Sequence, residues 1–334
     1  MPSTSNPDRR SLLQTTLVAT LAVGIGTGGP AMAQARTSTS ESGNGAGQAP
    51  GFYRYRIGEI LVTAVNDGFG RRPLDGFVRN AELSEVQEAM RARFLSEEAL
   101  EIPFTTLVLE TQGRLVLIDA GNGDSGAPTS GRWMENFRAA GYAPEDVDDV
   151  VISHFHGDHV NGLRLASGEA VFPNARIHVP AAEWDFFMDD ARMEAAPEAA
   201  QGVFRNARRV FAPMESEPAR FEPEAEVVPG VTAIAAHGHT PGHTAFRIAS
   251  GGESLLVLSD TTNHPALFVR NPGWHAIFDM DAQAAEETRR RLLGEAADAR
   301  ERVAFYHAPF PALGHVARDG EGFAFVQAQW TSAV

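Results

Sequence analysis

Two residue types are missing from the 334-residue sequence: it has no cysteine, and all 28 of its basic residues are arginine, so it has no lysine either. Without lysine there is no Schiff-base chemistry, no Walker-type phosphate lysine, and no Ser-x-x-Lys arrangement of the penicillin-recognising serine enzymes. Without cysteine there are no thiol nucleophiles, disulfides, thiolate zinc sites or iron–sulfur clusters. Asp and Glu number 43, giving a formal charge of −15 with no basic block. That balance speaks against nucleic acid as a partner. What is present is 43% hydrophobic residues against 21% charged, enough to bury a substantial core. Chemistry is left to His, Asp, Glu, Ser and Tyr, and none of the 11 histidines precedes His154.

Residues 1–33 read as an export signal rather than as fold. Arg9-Arg10 forms a charged start, and Leu12 to Ile25 an apolar stretch interrupted by Thr15, Thr16, Thr20 and Gly24. That stretch is too short and too polar for a stable membrane span. Ala31-Met32-Ala33 offers a small-x-small cleavage site. The arginine pair followed by Ser11-Leu12-Leu13 resembles a twin-arginine signal, with a general secretory signal as the alternative. Either implies a periplasmic or secreted protein without a stable membrane anchor after cleavage. Residues 34–50, rich in Ser, Thr and Gly, are expected to form a flexible linker, and 51–334 the folded domain.

Within the domain, Ile60–Val65, Thr106–Glu110 and Leu115–Ile118 have strand character, the last two pairing as a hairpin through Thr111-Gln112-Gly113. A helix is expected from Arg132 to Ala140, stopped by Gly141, and a short buried strand at Asp149–Ser153. Ala175–Val179 is expected as a strand, with Pro180 opening a helix to Met188. Further strands are expected at Val231–Ala235, Ala245–Ile248, Ser254–Leu258 and Val303–Tyr306, and a helix at Asp281–Ala297. Strands and helices mixed in this way predict an α+β fold of two packed sheets with helices outside.

The stretch Ser153-His154-Phe155-His156-Gly157-Asp158-His159 places four metal-ligand side chains within six residues, just beyond an apolar strand. Alternation sets His154 and His156 on one side, while Asp158 and His159 follow the turn and can face a neighbouring point. Two adjacent metals are therefore geometrically allowed. Imidazole with carboxylate suits Zn, Mn, Fe or Co better than Ca or Mg. Three more candidates close other strands or the loops after them: His239, Asp260 and His307.

This ligand order resembles the metallo-β-lactamase superfamily, whose αββα sandwich has two mixed sheets face to face. The resemblance implies one metal on His154, His156 and His239, a second on Asp158, His159 and His307, and Asp260 bridging them. Zinc is the expected ion at both sites. Within the superfamily the chain is most similar to methyl parathion hydrolases, through Ile60–Gly68, Leu117–Gly121, Gly238–Thr244 and His307–His315. One departure is Thr261-Thr262-Asn263-His264-Pro265, with His264 where those hydrolases are not expected to have histidine. His264 is either a proton donor near the leaving group or a plain loop residue. Asp158 is a second candidate for handling protons. Asp119 and His243 are expected behind the ligands, orienting them through hydrogen bonds. Phe69, Trp184, Phe187 and Trp274 are candidate walls of an apolar substrate pocket.

Such a pair of metals shares a water, lowers its pKa toward ~7 and presents hydroxide to a lactone, aryl ester or phosphotriester. The resemblance thus implies a small-molecule hydrolase, with N-acyl-homoserine lactones as one alternative substrate class and a homodimer as the assembly. The missing Gly-x-Ser-x-Gly elbow agrees with a mechanism that needs no serine nucleophile. A single-iron oxidoreductase on the same fold and a non-catalytic binding protein are the rival readings.

Overall fold

The computed structural model describes residues 48–334 apart from Glu215, so the expected export signal and most of the linker lie outside the described residues. Fourteen strands form two sheets. The first runs in chain order: β1 (Phe52–Ile57), β2 (Ile60–Pro73), β3 (Ala99–Thr111), β4 (Arg114–Ile118), β5 (Asp149–Val151), β6 (Arg176–Pro180) and β7 (Ala219–Phe221). The second holds β8 (Glu226–Val228), β9 (Val231–Ala235), β10 (Thr244–Ser250), β11 (Glu253–Val257), β12 (Arg302–Ala304), β13 (Leu313–Asp319) and β14 (Gly322–Gln327), again in chain order. The expected hairpin is β3–β4, in register Thr111↔Arg114. Strands β4 to β7 pair in parallel, as do β11 and β12, so both sheets are mixed.

Alternation sorts each strand's side chains into two layers. On β3, Leu107 and Leu109 face the other sheet while Val108 faces out; on β11, Leu255 and Val257 face in while Leu256 faces out. The inner faces meet in one core in which Ile57, Val62, Leu109 and Val116 pack with Val231, Phe246, Ile248 and Leu255. Strands buried on both faces need cover, and helices supply it. The helices are α1 (Leu83–Arg91), α2 (Trp133–Ala139), α3 (Gly157–Val160), α4 (Ala181–Phe187), α5 (Asp190–Ala195), α6 (Glu198–Phe211) and α7 (Ala282–Ala299). Trp133, Phe137, Phe187 and Phe204 from α2, α4 and α6 cover the first sheet, and Leu292, Leu293 and Ala296 of α7 cover the second. The result is the αββα sandwich expected from the resemblance. Each fully buried Leu, Ile, Val or Phe in these layers contributes about 1.5–3 kcal/mol of transfer free energy.

Two elements differ from expectation in ways that shape the site. Strand β2 continues to Pro73 instead of ending near Val65, with its register to β3 shifting between Asn66 and Phe69. The irregularity is a bulge, and it turns Asp67 into the protein interior. Strand β12 stops at Ala304, so His307 stands on the loop beyond it.

Candidate metal centre

Seven side chains of the predicted ligand set converge at one end of the sandwich, carried by the chain just beyond four strands. After β5, residues 152–156 carry His154 and His156, and the single turn α3 carries Asp158 and His159. The loop after β9 brings His239, the turn after β11 brings Asp260, and the loop after β12 brings His307. The nitrogens of His154 (Nε2) and His239 (Nε2) lie 3.0 and 2.9 Å from His156 Nδ1. Asp260 Oδ2 stands 3.3 Å from His239 Nε2 and 3.9 Å from His154 Nε2. A second cluster sets Asp158 Oδ2 at 3.6 Å from His159 Nε2 and 3.5 Å from His307 Nε2. Asp260 reaches this cluster too, with Oδ1 3.2 Å from His159 Nε2 and Oδ2 3.0 Å from His307 Nε2.

These donor sets fit a cation. Metal–nitrogen bonds of ~2.0–2.1 Å arranged tetrahedrally put ligand atoms about 3.3 Å apart, within the spread observed. His159 Nε2 and Asp260 Oδ1 are buried without a hydrogen bond. Three imidazole nitrogens pointing at one spot cannot satisfy each other, since each neutral ring has only one N–H to give. The site therefore reads as a divalent metal centre of His and Asp donors, as the missing cysteine requires.

Behind the ligands, hydrogen bonds hold each ring. Asp119, at a left-handed φ of +63° just after β4, accepts from the Ser153 backbone N–H and hydroxyl and from His159 Nδ1, each at 2.8 Å. His243 Nδ1 donates to the Ala236 carbonyl at 2.7 Å, and its Nε2 accepts the Asp260 backbone N–H at 3.0 Å. Burial drives the His243 pKa down to about 3, so this ring is neutral and its acceptor role is secure. Burial opposes charge on His239 as well, but the Asp260 and Asp279 carboxylates outweigh it and without a cation hold that ring up at about 9, and a bound cation would take the place of the Nε2 proton. Asp260 itself is held well below the usual carboxylate range, burial being overcome by the imidazoles of His307 and His159.

Several supporting residues carried no signal in the sequence. Asp279 Oδ1 accepts from His239 Nδ1 at 3.0 Å. Glu183 is fully buried in α4 and accepts the backbone N–H groups of Phe155 and Gly242 at 2.9 and 2.7 Å, tying together the two histidine loops. Tyr306 donates its hydroxyl to the Asp158 carbonyl at 2.6 Å. The inward Asp67 accepts from Asn122 and from the Trp133 backbone. Only Asp67 had a sequence cue, its place in Asn66-Asp67-Gly68.

A cleft of about 450 Å³ opens over His156, Asp158, His239, Asp260 and His307. Its apolar wall is Ile102, Phe104 and Phe278, and its polar wall includes Asn122, Asn161 and Asn263. None of the four expected wall residues lines it. Gly70 pairs with Ile102 on the cleft side, so strand alternation turns Phe69 to the opposite face, against Pro103. Phe187 is fully buried among Phe155, Phe186 and Phe204 in the helix layer. Trp184 packs on Phe211 and the Arg220 guanidinium, and Trp274 joins the Phe77–Phe268 cluster.

His264 also departs from the proton-donor reading. It is buried, lies outside the cleft lining, and its Nδ1 accepts the Ala266 N–H at 3.2 Å, capping the helical turn at Pro265–Val269. Burial, helped by the nearby His307, lowers its pKa to about 4. In the unfolded chain this ring takes up a proton near pH 6.5, whereas the folded one resists to about 4, so its stabilisation is full above 6.5 and lost as pH falls. We expect Tm to fall between pH 6.5 and 4, with this ring contributing up to roughly 3 kcal/mol. His264→Asn, which keeps a capping acceptor, should flatten that slope in a pH series of thermal melts. A slope equal to that of wild type would remove the assignment.

The family model for the metallo-beta-lactamase superfamily matches residues 102–307. Among curated proteins, an N-acyl homoserine lactonase of a Bacillus species is 29% identical over 203 residues, 55% of this chain and 73% of that one. A probable metallo-hydrolase of Mycobacterium tuberculosis is 28% identical over 183 residues, 47% of this chain and 56% of that one. Among solved structures, the dizinc quorum-quenching lactonase AidC superposes with a TM-score of 0.80 at 24% identity, covering 84% of this chain and 99% of that one. The hydrolase AbOPH, of the beta lactamase superfamily, gives 0.81 at 25%, covering 86% and 100%. With the family model covering more than half its length, and with the sandwich and its His/Asp cluster in place, the chain belongs to the metallo-beta-lactamase superfamily and, with it, to the metal-dependent hydrolases.

Proposed function

We propose that the protein is a two-metal hydrolase of lactones and aryl esters, zinc being the ion the donor set suits best, with N-acyl-homoserine lactones among its candidate substrates. The observation that carries this reading is Asp260: one buried carboxylate within 3.3 Å of imidazoles from both ligand clusters. A single-metal oxidoreductase has no need of the second cluster. The lactonase relatives support the same reading.

Divalent ions held by His154, His156 and His239 and by Asp158, His159 and His307 would supply Lewis acidity and a water acidic enough to react at neutral pH. The chain's own part is binding and proton handling. Ile102, Phe104 and Phe278 offer an apolar surface to an acyl chain or aryl leaving group, and the amides of Asn122, Asn161 and Asn263 can donate to its oxygens. Among the candidate ligands Asp158 is the more exposed carboxylate, its side chain 23% accessible against 3% for Asp260. It faces the cleft and is the group placed to take up and return a proton. The Tyr306 hydroxyl on its carbonyl fixes that turn.

The test is a kcat/KM panel with zinc-loaded protein on an aryl ester, γ- and δ-lactones, acyl-homoserine lactones and a paraoxon-type phosphotriester, together with metal analysis. Lactones and aryl esters should turn over fastest. A chelator should abolish turnover, and added zinc should restore it. A phosphotriester preference would move the substrate class. One iron per chain with no hydrolysis would overturn the reading.

A further inference from the structure

The largest fully buried side chain among the described residues is a cation, Arg289 of α7, 1% exposed. A buried guanidinium is costly unless it is paired and hydrogen-bonded, and here four of its five N–H groups have partners. Nε donates to the Thr261 carbonyl at 2.8 Å, and Nη1 to the carbonyls of Pro272 and Trp274 at 3.0 and 2.7 Å. Nη2 donates to Asp279 Oδ2 at 3.1 Å, and the Phe268 ring lies 5.1 Å away. The fork thus grips three stretches of chain at once: the turn that carries Asp260, the loop at 272–274, and residue 279 beside the cleft-lining Phe278. Asp279 spends its other oxygen on His239 Nδ1, 3.0 Å away.

We propose that Arg289 is the positioning residue of the metal centre: through Asp279 it fixes His239 with Nδ1 protonated and Nε2 turned to the ion, and through the Thr261 carbonyl it holds the turn bearing Asp260. The inference rests on the reading of the cluster as a metal site and adds which buried group sets that site's geometry. The effect through Asp279 falls on the cluster of His154, His156, His239 and Asp260, while the effect through the Asp260 turn also reaches His159 and His307. The His159 ring itself is oriented by Asp119, to which Arg289 makes no hydrogen bond. Lysine cannot replace the fork, because a single ammonium cannot reach the three carbonyls and the carboxylate in their separate directions.

The experiment compares Arg289→Lys, Asp279→Asn and, as a control for losing an arginine fork elsewhere, Arg247→Lys, whose partner Glu301 lies away from the cluster. Zinc affinity is read by chelator competition, and the ligand field by the visible absorption of the cobalt-loaded proteins. Arg289→Lys and Asp279→Asn should each weaken zinc binding by about 10–100-fold and change the cobalt spectrum. Arg247→Lys should match wild type in both. If Arg289→Lys does not fold, Asp279→Asn decides, since its amide still accepts from His239 but no longer pairs with Arg289. Competition curves and spectra of both variants that superimpose on wild type overturn the inference and leave the metal reading standing. Wild-type protein that takes up neither zinc nor cobalt removes the reading itself, and the inference with it.

Discussion

Asp260→Asn is expected to lower kcat/KM by about 10³-fold or more, the scale on which a preorganised charge in an active site is worth its place. The carboxylate is 3% exposed and stands within 3.3 Å of His159, His239 and His307, so the amide leaves three imidazoles facing a neutral group. Metal content should fall with activity, because among the described residues no other carboxylate reaches both clusters. The fold should survive: the turn at residues 259–261 is held by the Asp260 N–H donating to His243 Nε2 and by the Thr261 N–H and hydroxyl donating to the Leu258 carbonyl, all of which the substitution spares. Asp260→Asn protein that keeps activity within threefold of wild type and full metal content would sink the two-metal reading.

Gly238→Ala should be a severely damaging single-methyl addition near the site. At a φ of +123°, a region closed to L side chains, a Cβ would meet the backbone of α7 at 2.1 Å from Ala285 N and 2.5 Å from its Cα. Overpacking of this kind costs about 1–3 kcal/mol and the backbone strain about 1–3 more, so roughly 3 kcal/mol or greater is expected. The neighbour displaced is His239, whose carbonyl accepts from Met280 while the Gly238 carbonyl accepts from Asp281. Zinc affinity should therefore drop together with Tm. Gly252→Ala provides the contrast, with φ +84° but open space around the added carbon, so it should cost backbone strain alone and leave the metal untouched. Equal losses of Tm for the two variants would show that the contact with α7 does not matter.

How far the site could be read in advance depended on how local its parts are. His154, His156, Asp158 and His159 share six residues at a strand end, and their density announces a metal site without any fold. His239, Asp260 and His307 were recognisable because ligands gather where strands stop. Asp279 and Arg289 were not, because their partners His239 and Thr261 lie 40 and 28 positions away and nothing local marks either one. The substrate wall was misplaced for a different reason. An aromatic's type says it will be buried, but which side it faces depends on register, and one bulge in β2 decides that for Phe69.

Composition and motif alone set the chemistry: with no lysine and no cysteine, and with every histidine from His154 onward, the donors had to be imidazole and carboxylate. Apolar strands and the three expected helices were enough for two sheets with helices outside, since each apolar face must find cover. Tertiary packing alone decided that Asp279 and Arg289 back the metal ligands, that Phe104 and Phe278 rather than Trp184 and Phe187 wall the cleft, and that His264 caps a turn. Those outcomes depend on distances between residues far apart in the chain, which periodicity and spacing do not encode.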